Sequence, residues 1–379
     1  MVMHLLEGMH YAVASRPDHG ILGHLHGWLY GRPFRGRRRR RLLVLFEPKR
    51  VSYASAFAFL SGAPTFEARH DVEIRLLPTE KALRGALPAG LGDATHVVAQ
   101  SWLTDPLERH QRLADVLDAF GPDAVTAYLD TSANADIRLA RVFAGVDFYF
   151  KKSLFTDRAA HLKPTYGHTN LTDYYGRLYG VPQEETDWCV PPGALPKLHL
   201  APNFLTAPAL RRAFLRNGPP PGQAAREITL HARLGGTEAD NAYGAMRRAA
   251  LRAVEDLGQG VVTGTGIPYR RFMQELSRAK ICFSPFGYGE LCWRDMEAIA
   301  AGAVLLKPDM SHLETTPDLY RNNETYLACR WDFADLPERV NELLADDARR
   351  DRIARTAWEA ARQYLLEEGP VETYAPLFR

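Results

Sequence analysis

Residues 280–309, KICFSPFGYGELCWRDMEAIAAGAVLLKPD, decide how the rest of the chain is read. Ile281, Cys282 and Phe283 form a short apolar run that suits a buried parallel strand better than a surface one. Pro285, Gly287 and Gly289 let the backbone turn tightly and approach a ligand closely. A helix is expected from about Glu290 to Gly302, where glycine supplies the left-handed stop. Ala303 to Leu306 reads as the next strand. The unit is strand, loop, helix, strand, with its loop at the carboxyl end of the first strand, where open α/β sheets bind ligands.

On that helix Glu290, Arg294 and Glu297 fall at i, i+4 and i+7 and share one stripe, while Cys292, Met296, Ile299 and Ala300 share another. The apolar stripe packs on a sheet and the charged one stays accessible. An isolated E-x3-R-x2-E is most often a solvated, ion-paired face. The Gly-rich loop before it and the Ala-Ala-Gly-Ala step after it tilt the reading towards a nucleotide site.

The segment FSPFGYGELCWRDMEAIAAGAVLL, residues 283–306, resembles the donor-nucleotide half of glycosyltransferases with the two-domain GT-B fold. It is most similar to the group-1 and exostosin-like branches. The resemblance covers about residues 226–365. It implies two Rossmann-like α/β/α domains facing a cleft, with a C-terminal helix crossing back to the first domain. By resemblance Glu297 holds the ribose hydroxyls of a sugar nucleotide. The group-1 pattern has a second Glu eight positions earlier; here Gly289 stands there and Glu290 comes one place late. That displacement leaves retaining and inverting outcomes open, with a lean to inverting.

The chain has 379 residues, of which 46% are hydrophobic and 24% charged, a composition that fits a soluble protein of two domains with substantial cores. A net charge of +2 argues against nucleic acid as a partner. Cys189, Cys282, Cys292 and Cys329 lack paired metal spacing and read as reduced thiols. No apolar run reaches membrane-spanning length, and the first residues lack a signal-peptide pattern. Cytoplasmic residence is expected.

The first 41 residues read as an extension ending in an Arg-rich run. His4, His10, His19, His24 and His26 lie in it. His24 and His26 would share a face on a strand, but a metal site needs further ligands that the sequence does not locate. Asp18, His19, Gly20 and Gly23 suit a loop beside an acceptor or phosphate better. Arg32, Arg35, Arg37, Arg38, Arg39, Arg40 and Arg41 form a run that is usually solvated. Its alternative role is peripheral contact with an anionic inner membrane face, each Arg adding about 1 kcal/mol.

Residues 42–216 alternate strands with helices, as a parallel sheet covered on both sides requires. Strands are expected at 42–47, 72–77, 95–100, 124–129 and 146–150. Glu47, Asp105 and Asp130 near strand ends are candidate bases for an acceptor hydroxyl. Asp130 is preferred because it directly follows the apolar run VTAYL; its other reading is a cap on a helix over DTSANADIRLARVF. The Tyr- and Pro-dense stretch from His161 to Arg226 reads as surface loops. In it Tyr174, Tyr175 and Trp188 are candidates for stacking on sugar rings.

Residues 217–225 read as a linker, 226–360 as the nucleotide-sugar domain and 361–379 as the tail returning to the first domain. Arg233 follows the strand EITLH; the resemblance places this loop near the donor diphosphate, and its other reading is an ion pair with Glu238 or Asp240. The expected reaction is transfer of a sugar from a nucleotide sugar to a hydroxyl of a glycan or lipid-linked acceptor. Asp130 and Glu290 are its candidate catalytic carboxylates. Arg233, Gly287, Tyr288, Gly289, Arg294 and Glu297 form the donor site. No D-x-D triplet occurs, and no metal or other cofactor is expected. The alternatives are a nucleotide-sugar 2-epimerase of the same fold and a non-catalytic binding module.

Overall fold

The computed structural model describes residues 31–379 except residues 37, 86, 221, 224, 225 and 256. The expectations placed on His4, His10, Asp18, His19, Gly20, Gly23, His24, His26 and Arg37 fall outside the described residues.

The first sheet is built from β1 (Arg40–Phe46), β2 (Val72–Pro78), β3 (His96–Ala99), β4 (Val125–Asp130), β5 (Phe148–Lys151) and, after the short β6 (Ser153–Phe155), β7 (Leu198–Leu200). Its order is β2-β1-β3-β4-β5-β7, parallel throughout. The strand alternation is visible in β1. Leu42, Val44 and Phe46 enter one core while Leu43 and Leu45 enter another on the opposite face. The sheet is therefore sandwiched, and Leu42, Leu43, Val44 and Leu45 are all fully buried.

The second sheet contains β8 (Ile228–His231), β9 (Val261–Val262), β10 (Ala279–Phe283), β11 (Val304–Pro308) and, after β12 (Leu313–Thr315), β13 (Leu327–Cys329). Its order is β9-β8-β10-β11-β13, again parallel. The expected two-domain architecture is present, and the expected strands lie within a few residues of the observed ones; β7, inside the stretch read as loops, was not among them.

Three other elements depart from the sequence reading. The stretch read as loops holds the helix Asn170–Tyr179, opened by a Thr169/Thr172 capping box and closed by Gly180 in the left-handed region. That helix packs against Ala242–Glu255 of the second domain, and Tyr175 belongs to the second domain's core. The boundary set at 217 is also too late. Pro208–Arg216 already packs on Trp293–Ala301 and Asp347–Leu366. Finally, DTSANADIRLARVF forms turns where a helix was expected.

The domains are tied together in two places. β6 and β12 form an antiparallel ribbon between them, with Thr315 opposite Ser153 and Leu313 opposite Phe155. Beside it Asn203 donates its amide to the Thr316 carbonyl at 3.0 Å. The second tie is the chain's end. After the helix Asp347–Leu366, Glu368 turns in the left-handed region and Gly369–Tyr374 returns to pack on Arg50–Ser61. Tyr374 stacks on Phe59 at 4.4 Å and meets Phe150 edge-on at 5.1 Å.

Tyr374 is fully buried and its hydroxyl has no hydrogen-bond partner among the described residues. Tyr374→Ala should therefore cost about 3–5 kcal/mol in chemical denaturation. Tyr374→Phe should be neutral or stabilising, because it removes an unsatisfied buried group.

Part of the Arg-rich run is turned onto the protein's own groups. Arg38 pairs with Glu67 and Asp71, Arg40 donates to the His70 carbonyl and Arg41 to the Asp93 carbonyl. Arg32, Arg35 and Arg39 are exposed. No helix among the described residues is long and apolar enough to cross a membrane.

Candidate active site between the two sheets

The carboxyl ends of both sheets open onto one cleft of about 1000 Å3, continuous with a second lobe of about 530 Å3. The segment after β4, residues 131–136, reaches it from the first domain. From the second come the segments after β8 and β9 and the loop after β10.

Glu297 lies at the junction of the two lobes and is 6% exposed. Burial raises its carboxyl above the ordinary range, opposed by a hydrogen bond from Tyr269 and by the nearby charges of Arg294 and Arg50. It is an acceptor held at a wet edge. Arg294 lines both lobes, and one of its amino groups donates to the Arg233 carbonyl. Its Nε is buried without a partner.

Arg247, on the helix Ala242–Glu255, stands nearby. Burial lowers its pKa, and so does the like charge of Arg294. Neither arginine has a carboxylate partner among the described residues. Two unpaired guanidiniums lining one cleft form a ready site for an anion. Arg247 was not singled out from sequence because it sits inside an ordinary amphipathic helix.

Arg233 lines the smaller lobe, but its fork is engaged. Nε and Nη2 hold Glu275 at 2.5 and 2.9 Å, and Nη1 donates to the Thr263 carbonyl at 2.7 Å. Its acidic partner is Glu275, and not Glu238 or Asp240. This ties Arg233 to the loop at Gly264 and Gly266, both in the left-handed region, which forms the lobe's wall.

The loop after β10 is organised differently from the expectation. The helix starts at Trp293, with Cys292 and Asp295 as its capping pair, so Glu290 lies before it and shares no stripe with Arg294. The Gly287 amide donates to the Gly289 carbonyl at 3.0 Å and is not free for a phosphate. Tyr288 is 76% exposed and meets Tyr243 edge-on in the cleft. Gly289 is packed against the first domain's backbone at Ala133 and Asn134.

Asp130, the preferred base, is structural. It stands directly across the ladder from Lys151, whose Nζ is 3.0 Å away. Tyr149 donates to it at 2.8 Å and Ser132 donates both its amide and its hydroxyl. It is 4% exposed and does not line the cleft. Glu47 and Asp105 are likewise taken up, both by Arg109.

The first-domain carboxylate that does line the cleft is Asp136, six residues further on in the same segment. It accepts the Asn170 amide at 3.1 Å. Its pKa is pushed up to about 7, first by burial and then by the charge of Glu290. Glu290 is fully buried, reaches across from the second domain and accepts the Ala135 amide at 3.1 Å. His312 is 3.8 Å from its other oxygen. The charge of Glu290, from the other domain, thus opposes the ionisation of Asp136 at the cleft. Of the proposed stacking aromatics, only Trp188 lines the cleft; Tyr175 is buried and Tyr174 packs on Trp331.

Residues 222–367, which carry the second sheet, match the family model described as glycosyl transferase-like. No curated protein matches the chain significantly. Solved structures with a similar course include an alpha-glucosyltransferase in complex with UDP and a 13-mer DNA, at 11% identity and TM-score 0.47, covering 88% of this chain and 99% of that one. Another is HepE of Anabaena in complex with UDP-glucose, at 10% identity and TM-score 0.46, covering 89% and 99%. A third is a putative UDP-N-acetylglucosamine 2-epimerase of Listeria monocytogenes, at 10% identity and TM-score 0.44, covering 86% and 94%.

Proposed function

We propose that this chain, whose residues 222–367 match a glycosyl transferase-like family model, moves a sugar from a nucleotide sugar to an acceptor hydroxyl across the cleft of a GT-B fold. The observation that carries this reading is that Arg247 and Arg294, which have no carboxylate hydrogen-bond partner among the described residues, line the same cleft as Glu297. Glu297 accepts from the ribose hydroxyls in the smaller lobe. The diphosphate lies against Arg247 and Arg294, whose fixed charges offset the charge that builds up as it leaves. No metal or other cofactor is called on in this arrangement.

The acceptor hydroxyl approaches from the first domain, beside Asp136. Its oxygen forms the new bond to the anomeric carbon. The old bond from that carbon to the diphosphate breaks, and its electron pair leaves with the nucleotide. The hydroxyl proton goes to Asp136, whose pKa of about 7 suits a general base. This assigns an inverting course. The finer expectations follow as part of the same proposal: synthesis of a polysaccharide or glycoconjugate in the cytoplasm, with Arg32, Arg35 and Arg39 as the exposed cations for loose contact with an anionic membrane face.

Thermal shift with UDP, GDP, dTDP, CMP and their sugar conjugates tests the reading. One base should stabilise the wild type, by about 2.7 kcal/mol at 100 times its dissociation constant. Glu297→Ala should abolish most of that shift, and EDTA should leave the wild-type shift in place. If no nucleotide shifts the wild type, the donor site is misassigned. If sugar nucleotide is consumed without acceptor and its sugar is epimerised, the epimerase alternative holds.

A further inference from the structure

With a nucleoside diphosphate on Glu297, Arg247 and Arg294, the cleft still has an arm of first-domain residues left over. Its walls are Trp102, Leu103, Thr104, Arg138, His168 and Trp188. Both indoles are partly exposed there. Each is also held in place. Lys49 lies 4.3 Å over the Trp102 ring, and Trp188 stacks on His168 at 5.4 Å with an interplanar angle of 18°. Arg138 joins the two walls, donating to the Leu103 carbonyl at 2.8 Å while its guanidinium lies 5.7 Å over the Trp188 ring.

The chemistry of this arm is flat apolar faces edged by single polar groups: the Thr104 hydroxyl, the His168 imidazole and the remaining N–H groups of Arg138. A pyranose ring presents the complementary surface, an axial C–H face with a rim of hydroxyls. A polynucleotide would need a row of cations to meet its phosphates, whereas the arm has Arg138 in its wall and Lys49 over Trp102, each set over an indole ring. A lipid tail would leave Arg138, Thr104 and His168 facing hydrocarbon.

We infer that this arm is the acceptor subsite and that it takes a saccharide, stacked on Trp102 and Trp188 with its reacting hydroxyl towards Asp136. The inference rests on the transferase reading above. Arg138 is a positioning residue, setting the spacing of the two indoles.

The test is titration of the wild type, Trp102→Ala, Trp188→Ala and Trp188→Phe with cellobiose, maltose and N,N'-diacetylchitobiose by calorimetry. A 12-nucleotide single-stranded DNA and anionic phospholipid vesicles serve as the competing probes. At least one disaccharide should bind the wild type. Each alanine variant should weaken it about 10-fold, a loss of the size expected for one stacking face, and Trp188→Phe should retain most of the affinity. The thermal shift given by the nucleotide should be unchanged in all three variants, which also shows that they fold. Disaccharide binding that is absent from the wild type, or indifferent to both alanine variants, overturns the inference, as does tighter binding of the DNA or the vesicles. Failure of the underlying transferase reading appears separately, as a wild type that no nucleotide stabilises.

Discussion

Asp136→Asn is expected to lower kcat for sugar transfer by about 10²–10⁴-fold, the usual contribution of a general base, with the nucleotide thermal shift intact. The substitution is nearly isosteric, and its amide oxygen still accepts from Asn170. What it removes is the only acceptor-side carboxylate among the described residues lining the cleft. The wild-type pH profile should show the same group. Because the base must be ionised, kcat/KM should rise tenfold per pH unit and level off above about 7. Lys151 and the Asn170 amide favour the ionised form, while burial and the charge of Glu290 oppose it. Glu290→Gln removes one of those oppositions and should move the rising limb to lower pH.

The sign for stability is the reverse. A carboxyl whose folded pKa lies above its unfolded value near 3.8 contributes stability below that value and loses it as pH rises through about 7. At pH 8 Asp136→Asn should thus be the more stable protein and the less active one. A variant that is both unstable and inactive would point to a structural role. Full transfer activity in a folded variant would exclude Asp136 as the base and favour a retaining course, in which the leaving diphosphate takes the proton.

How far the residues themselves disclosed this arrangement depends on the range of the interaction concerned. Short apolar runs and glycine stops are local, and they located most strands of both sheets and the end of the helix at Gly302. The start of that helix was misplaced because Glu290 fits the helical stripe, whereas the Cys292/Asp295 pair satisfies the first amides three residues later. The Thr169/Thr172 box and Gly180 mark the helix Asn170–Tyr179 by the same signals, which the density of Tyr and Gly around it obscured.

The site was harder for a physical reason. Asp130 and Asp136 lie in one segment, and nothing local separates them. Asp130 is neutralised by a neighbour on the adjoining strand. Asp136 is raised by burial and then by the charge of a carboxylate from the other domain. Which of them can act as a base is a property of the assembled cleft. Glu297 could be placed at the cleft because the motif that carries it spans one strand, loop and helix, although Tyr269 and Arg50 from other elements also act on it. Arg247, drawn from a different helix, could not.

The meeting of the domains at the loop after β10 gives the second large effect. A Cβ on Gly289 would sit 2.2 Å from the Ala133 carbonyl carbon and the Asn134 nitrogen, backbone atoms with no side-chain freedom to yield. Packed atoms need more than 3 Å, so Gly289→Ala must push the loop away from the first domain. The neighbouring bonds go with it: Leu291 donating to the Ala133 carbonyl at 3.3 Å and Ala135 donating to Glu290 at 3.1 Å. Separation by about 1 Å across a cleft whose two halves carry donor and acceptor should cost about 10²-fold in transfer. Arg247, Arg294 and Glu297 all lie on the second domain, so the nucleotide shift should survive. Loss of the Glu290 contact should also release Asp136, bringing the rising limb of any residual activity below pH 7. Wild-type turnover in Gly289→Ala would mean that the domains work apart from each other. A lost nucleotide shift would mean that this loop holds the donor directly.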